Sequence, residues 1–223
     1  MAKKRETVRN NATKREDRCE LIAPTLPDAA DTEALLQLAK ELAATIDAAV
    51  LSGDVATEEA ARQTYQAIIW KMNGGTMFAS LDGPDAPGNV IAAHCAAPIG
   101  TVPGWWQDGE FLVTAAGVRA RVVFGHGFTG GTRHFAFHAV DPNKPFISET
   151  GYRSHFQAPV TGATVEAVAT GVLESLVADR GGRVTIDRAS RDRIEVPAWV
   201  TAAPGDDAPA IYADAKGQLT LAF

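Results

Sequence analysis

The first regular pattern along the chain is helical. Between positions 35 and 50, apolar side chains recur at spacings of three and four residues, which places them on one face of a helix. The residues of this face are Leu35, Leu38, Ala39, Leu42, Ile46, Ala49 and Val50. Asp31 or Thr32 is placed to cap the helix. A second helix is predicted from about Thr57 to the glycines at 74–75, and the short connection between the two predicts an antiparallel hairpin.

Beyond Asp82 the pattern changes to strands and loops, because prolines and glycines interrupt any helical period. Aromatic and β-branched residues predict strands at 111–113, 118–124 and 134–140. A third helix is predicted from the apolar period over 165–177, and further strands are predicted at 184–186, 194–196 and 219–221. This order of elements predicts the α+β class, with an N-terminal helical hairpin and a further helix packed on a mostly antiparallel sheet.

The domain organisation follows from where apolar residues begin. Residues 1–18 contain almost no apolar side chains, so residues 1–28 are predicted to form a basic, disordered arm and linker. Residues 29–223 are predicted to form a single α+β domain. Its parts are the helical hairpin at 29–80, the strand and loop region at 82–161, the helix at 162–180 and the strands at 183–223.

Charge is unevenly distributed along the chain. The formal net charge is −6, but residues 1–18 carry seven basic and three acidic side chains, which gives +4 there and −10 over the rest. A basic arm can neutralise phosphates and give salt-sensitive binding to nucleic acid, although a solubilising tail, or a tail that folds back on the acidic body, is the favoured interpretation. The basic residues concerned are Lys3, Lys4, Arg5, Arg9, Lys14, Arg15 and Arg18.

Composition adds expectations about class and compartment. The chain of 223 residues has 46% hydrophobic and 22% charged residues, which is typical of a globular protein. The sequence shows neither an apolar run long enough to span a membrane nor the pattern of a signal peptide, so we expect a cytoplasmic protein. Two cysteines do not make a disulfide framework in a chain of this size.

Four of the five histidines lie between positions 122 and 156. If 133–140 is a strand, His134 and His138 lie on one face with Ala136 between them, whereas Phe135, Phe137 and Ala139 face the core. A divalent metal held by His126, His134, His138 and His155, with Glu149 as ligand or base, would make the protein a metal-dependent hydrolase. The spacing matches no zinc signature, so no cofactor is predicted and the metal is kept as the alternative.

A polar loop at 141–156 is the main candidate for a binding surface, because functional residues are over-represented in such loops. Glu149 could act as a base, Arg153 as an anion clamp and His155 as a proton shuttle. The alternative is a long connection whose polar side chains satisfy its own backbone, and this interpretation is favoured over catalysis. The candidate binding residues are Asp141, Glu149, Tyr152, Arg153 and His155.

Three segments carry a family resemblance. Residues 70–75 (WKMNGG), 134–141 (HFAFHAVD) and 145–154 (PFISETGYRS) resemble accessory proteins carried on bacterial plasmids and related mobile elements. The resemblance implies a role in plasmid maintenance, transfer or interference with host defence. It implies no catalytic residues.

These observations favour a non-enzymatic, cytoplasmic accessory protein of a plasmid or other mobile element. It is expected to engage a macromolecular partner, a protein in the first instance, through the loop at 141–156. The metal-dependent hydrolase and a nucleic-acid-associated protein that uses the basic arm are the two alternatives.

Overall fold

The computed structural model describes residues 14–126, 131–179 and 183–202 of the chain, together with the backbone of two strands at 210–213 and 219–222. Within these ranges it contains seven helices (α1 to α7), a short 3-10 turn and six strands (β1 to β6). The α+β class is confirmed, with helices at the N-terminus and an antiparallel four-stranded sheet. No helix in the described ranges has the length and apolar character that crossing a bilayer requires.

The first helix corrects the prediction of a disordered arm over 1–28. Residues 14–22 form α1, which runs into the 3-10 turn Ala23–Thr25. Cys19 and Ala23 are buried in this segment. Lys71 closes its C-terminal end, because its Nζ donates to the carbonyl oxygens of Ala23 (2.9 Å) and Leu26 (3.1 Å). The prediction rested on the composition of residues 1–18, which does not show the tertiary contacts that order this segment. Residues 1–13 of the predicted arm lie outside the described residues.

The predicted helical hairpin is confirmed as α2 (Thr32–Ser52) and α3 (Val55–Met72). Asp31 caps α2, because its Oδ1 accepts a hydrogen bond from the backbone N–H of Ala34 at 3.1 Å. Asp54 caps α3 in the same way through the N–H of Thr57 at 3.1 Å. Between the helices, Gly53 takes a left-handed conformation (φ 77°) that suits glycine.

Helix α4 (Pro87–Cys95) lies where the sequence predicted loop and strand. The prediction took Pro87 and Gly88 as breakers, but proline is well tolerated in the first turn of a helix, where its missing N–H is not needed. Gly88 is required by close packing, since a Cβ there would lie 2.7 Å from the carbonyl oxygen of Ser80. Ile91 and Cys95, four residues apart, are the apolar residues that α4 buries.

The main sheet has the order β1-β2-β3-β4, and all its pairings are antiparallel. Its strands are β1 (Gly109–Ala115), β2 (Val118–His126), β3 (Arg133–Ala139) and β4 (Tyr152–Gln157). The first three confirm the strands predicted at 111–113, 118–124 and 134–140. Alternate residues of these three strands are buried on the inward face, as the side-chain period of two requires. The inward residues include Phe111, Val113, Val122, Phe124, Phe135 and Phe137.

The C-terminal part agrees with the sequence only in places. Helix α5 (Val165–Asp179) confirms the predicted third helix and contacts β1. In the region predicted as strands, the chain instead forms the short helices α6 (Arg188–Arg191) and α7 (Ala198–Ala202). Residues 194–196 run as irregular chain, and Val184 makes an isolated bridge to Phe146. Short β-branched triplets of this kind carry too little period to separate a strand from a packed loop.

Two further strands, β5 (Ala210–Ala213) and β6 (Leu219–Ala222), pair with each other in an antiparallel ribbon. The strand predicted at 219–221 is therefore confirmed. Its pairing partner is β5 at 210–213, which the sequence did not predict as a strand.

Trp105 connects the helical hairpin to the sheet. Its side chain is fully buried, and its ring meets the rings of Phe124 and Phe135 edge-on at 6.0 Å and 6.3 Å between centroids. Its backbone N–H donates to Asp47 of α2 at 2.8 Å, and its indole Nε1–H donates to the carbonyl oxygen of Ala163 at 2.7 Å. The neighbouring Trp106 is buried as well.

Replacing Trp105 should therefore destabilise the helical hairpin and the sheet together. Trp105→Ala is expected to lower the free energy of unfolding by about 3 to 5 kcal/mol, because it leaves a cavity and removes the bond to Ala163. Urea unfolding followed by far-UV circular dichroism measures the change. Leu21→Ala, at an exposed position, is the control and should change stability by less than about 0.5 kcal/mol. A loss of stability for Trp105→Ala no larger than that of the control would contradict the connecting role of Trp105.

Candidate functional site

A basic groove lies between α1 and α3. Lys14, Arg15 and Arg18 of α1 line it, and they share one helix face because they are spaced three and four residues apart. Arg62 of α3 lines the other side. The groove has a volume of about 560 Å³. The structure thus brings together three of the cations predicted in the arm and adds a fourth that the sequence did not single out.

Glu59 organises the side chains of this groove. It pairs with Arg62 and accepts a hydrogen bond from Gln63, and Arg18 NH1 lies 3.4 Å from its Oε1. The hydrogen bond from Gln63, followed by the contacts with Arg62 and Arg18, holds the pKa of Glu59 below its ordinary value. Glu59 therefore stays ionised at neutral pH. Four cations against this carboxylate give the described lining of the groove a formal charge of +3.

Arg15 of α1 is bonded to a side chain of α3. Its Nε donates to Oε1 of Gln66 on α3 at 2.9 Å. The neighbouring Glu16 points elsewhere, because its Oε1 accepts the backbone N–H of Met77 at 2.9 Å. Basic and acidic side chains of α1 are thus separated on two faces. Lys3, Lys4, Arg5 and Arg9 lie outside the described residues.

His134 and His138 lie on the outward face of β3, as the strand alternation predicted. The His134 ring stacks on Phe156 with 4.6 Å between centroids, and His138 lies against Tyr152 at 5.1 Å. Burial lowers the pKa of His134, and burial together with the charge of Arg121 lowers the pKa of His138. Both histidines therefore favour the neutral form and serve as ring partners of β4.

The other two histidines lie on the opposite face of the sheet. His126 is opposite the inward Arg133 in the register, and its Nδ1 lies 3.0 Å from Asp108 Oδ1. His155 is opposite the inward Phe135. Strand alternation thus separates the four histidines into two pairs. Within the ranges that the structure describes, no three His, Cys, Asp or Glu side chains are placed to hold a metal ion, so the proposed four-histidine metal site is not assembled.

The loop predicted at 141–156 is shorter than expected, because residues from Tyr152 onward belong to β4. Asp141 Oδ1 accepts the backbone N–H of Asn143 at 3.0 Å, and its other oxygen lies 3.6 Å from Lys144 Nζ. The carbonyl oxygen of Glu149 accepts the N–H of Asp187 at 2.8 Å. The bonds of Asp141 are internal to the loop, as expected of a connection whose polar side chains satisfy its own backbone, whereas the bond of Glu149 joins the loop to the start of α6.

The five candidate binding residues do not share one face. Tyr152 lies on the outward face of β4 and is 43% exposed, whereas Arg153 and His155 alternate to the inward side. Asp141 and Glu149 belong to the preceding loop. A partner surface made of all five is not presented by this fold, and the use of any one of them stays a prediction.

An ion-paired arginine inside the protein was missed from the sequence. Arg133 is only 2% exposed, and its NH2 donates to the carbonyl oxygen of Gln107 (2.7 Å) and to Asp108 Oδ1 (3.0 Å). Its guanidinium carbon lies 4.7 Å from the centroid of the Phe124 ring. The signal was present, because the inward alternation of Phe135 and Phe137 extends back to position 133.

Asp108 is the charge partner of this arginine. Burial raises its pKa, but the hydrogen bond and charge of His126 and the contact with Arg133 outweigh burial, so the pKa of Asp108 lies below its ordinary value. The carboxylate thus links the end of β2 to the start of β3.

The described helices α1 to α4 and the sheet with α5 define a two-part α+β protein whose helical part carries a basic groove. Comparison with known families divides the chain in the same place. Residues 18–94 match the model described as the KlcB N-terminal DNA-binding domain, and residues 108–199 match the KlcB third domain. These two matches, both to models of KlcB domains, together cover more than half of the chain.

Two proteins from Escherichia coli named Protein KlcB are similar to the chain. One is 46% identical over 175 residues, which is 77% of this chain and 44% of the relative; the other is 41% identical over 206 residues, which is 89% of this chain and 44% of the relative. The chain therefore spans less than half the length of these relatives. KlcB is a plasmid-borne accessory protein, so the resemblance to plasmid accessory proteins is confirmed. No solved structure matches the chain significantly.

The lowered pKa of Asp108 predicts how stability depends on pH. A carboxylate with a depressed folded-state pKa stabilises the protein above its unfolded pKa of about 4, and this contribution is lost as pH falls through the folded pKa. Asp108→Asn keeps an oxygen for Arg133 but removes the charge. The variant should be less stable than the wild type at pH 7, and the difference should shrink below about pH 4.

Urea unfolding at pH 7, 5, 4 and 3 measures this difference. Asp82→Asn, at an exposed carboxylate, is the matched control. A stability difference for Asp108→Asn that is the same at every pH would show that packing, and not the charge, is responsible.

Proposed function

We propose that this protein is a plasmid accessory protein that binds DNA through the groove between α1 and α3. The observation that carries the proposal is the convergence of Lys14, Arg15, Arg18 and Arg62 on one groove. Arg18 and Arg62 fall inside the stretch that matches the DNA-binding family model, and the other two residues directly precede it.

The charge of the rest of the chain supports DNA binding at this groove. Residues 19–223 carry a formal charge of −10, so most of the surface repels a polyanion. The groove and the basic residues before it are the exception, and a positive patch on an acidic protein steers DNA to one side. Phosphate contacts of this kind release counterions and give affinity without sequence preference.

Two glutamines in the groove could add base contacts. Gln63 and Gln66 line it beside the cations, and the amide of glutamine offers the donor and acceptor pair that reads adenine in the major groove. Their present partners, Glu59 and Arg15, are the side chains that DNA phosphates would rearrange. We propose a non-enzymatic role of this kind in the cytoplasm, where plasmid DNA lies.

The test is the salt dependence of duplex binding. In Lys14→Gln/Arg18→Gln, two phosphate contacts are removed, so the slope of log K against log salt concentration should become shallower by about 1.8. Fluorescence anisotropy with a labelled duplex between 50 and 200 mM salt measures both slopes. Circular dichroism confirms that the variant is folded.

A matched control removes two charges elsewhere. Lys144→Gln/Arg188→Gln changes net charge equally, at exposed positions in the 141–151 loop and in α6. It should leave the slope unchanged. Equal slopes for the groove variant and the wild type, or equal losses in both variants, would exclude the groove as the binding site.

The residues before α1 are tested separately. Deleting residues 2–13 removes Lys3, Lys4, Arg5 and Arg9 but leaves the described groove intact. If these cations also contact phosphates, the slope should become shallower by up to about 3.6, and affinity should fall to a similar extent for unrelated duplexes. An unchanged slope would confine DNA binding to the groove.

A further inference from the structure

A second cavity lies where α3 and α4 meet the edge of the sheet. It has a volume of about 470 Å³, within the range of small-molecule sites. Tyr65 and Ile69 of α3 and Ala92 of α4 line one side, and Trp106, Asp108 and Arg133 line the other. The cavity thus lies at the junction of the two stretches matched by the family models.

Some hydrogen-bond donors of Arg133 and Trp106 at this cavity have no acceptor among the described residues. Arg133 uses NH2 for hydrogen bonds, but its Nε and NH1 are buried and have no hydrogen-bond partner among the described residues. The indole Nε1 of Trp106 is likewise buried without a partner in the part of the chain that is described. Donors buried in this way cost free energy, most of all on a charged group.

Asp108 does not fully neutralise the positive charge of Arg133. Its Oδ1 is shared between Arg133 NH2 and His126 Nδ1, each at 3.0 Å. Arg15 also lines the cavity and brings a second permanent cation. With Arg133 and Arg15 against Asp108, the lining has a net positive charge before any contribution from His126. An anion is the ligand that would complete it.

The cavity also has apolar side chains in its walls. Ile69, Met77, Leu81 and Ala92 contribute to them, so the cavity offers more apolar than polar surface. A guanidinium is a planar fork that matches carboxylate and phosphate groups. We propose that this cavity is a binding site for a small molecule with one carboxylate or phosphate group on a compact apolar body, with the anionic group held by Arg133.

The cavity is connected to the basic groove by shared residues. Arg15 and Gln66 line both, and they bond to each other at 2.9 Å. An anion in the cavity would attract Arg15 away from the groove and so weaken DNA binding. This regulatory step rests on the proposed DNA-binding function, whereas the ligand site itself does not.

The ligand site is tested with three probes that share a phenyl ring: benzoate, phenyl phosphate and the neutral benzamide. Isothermal titration calorimetry and ligand-observed NMR measure binding to the full chain without DNA. At least one anion should bind about tenfold more tightly than benzamide, which corresponds to about 1.4 kcal/mol. The preferred anion identifies carboxylate or phosphate as the group recognised. Binding of all three with equal affinity, or of none, overturns the proposal.

Two variants test whether the anion binds in this cavity. Ala92→Phe fills its wall and leaves Arg133 in place, and Ala93→Phe adds the same ring at the exposed neighbouring position of α4. The first should lose anion binding at least tenfold and the second should keep it, with melting temperatures that show both to be folded. Arg133→Met should also abolish binding, but Ala92→Phe decides the matter if that variant does not fold. Unchanged binding by folded Ala92→Phe overturns the site.

The connection to DNA is tested by repeating the anisotropy titration with saturating anion. Affinity for the duplex should fall and the salt slope should become shallower by about 0.9, the contribution of one phosphate contact. Benzamide at the same concentration should have no effect. Proven anion binding with unchanged DNA affinity overturns the regulatory step, whereas absence of DNA binding in the ligand-free protein overturns the proposed function and leaves the ligand site standing on its own titration.

Discussion

The packing around Trp105 is the constraint on which the arrangement of the protein depends. One residue bonds to α2 through its backbone, to the chain before α5 through its indole N–H, and to the sheet through the rings of Phe124 and Phe135. Gly104 allows this approach, because a Cβ there would lie 2.8 Å from the carboxyl carbon of Asp47. The two stretches that match separate family models therefore share one continuous core.

Long periodic elements could be predicted from the sequence, and short ones could not. Helices α2, α3 and α5 and strands β1 to β3 repeat their apolar pattern often enough to define a face. Helix α4 was not predicted because it begins at Pro87, and the proline was taken as a helix breaker. Residues 184–186 and 194–196 have β-branched side chains, but whether such triplets pair depends on neighbours that are distant in sequence.

Only part of the candidate site could be predicted, again because the sequence shows local patterns and not the contacts between distant elements. Strand alternation correctly placed His134 and His138 on one face, yet it also separates them from His126 and His155, so the same rule that supported the histidine cluster excludes a common metal centre. Lys14, Arg15 and Arg18 were recognised as basic. Their meeting with Arg62 could not be foreseen, since it depends on how α1 packs against α3.

The Lys71 ammonium has a consequence for the shape of the groove. It bonds to two carbonyl oxygens at the end of the segment that carries α1, so a side chain of α3 helps to set the lateral offset between the two helices. The groove walls are built from those same helices. Acetylation of that amine would remove the charge and two of its hydrogens, and the spacing between cationic side chains on facing helices would then be free to change although none of them had been modified.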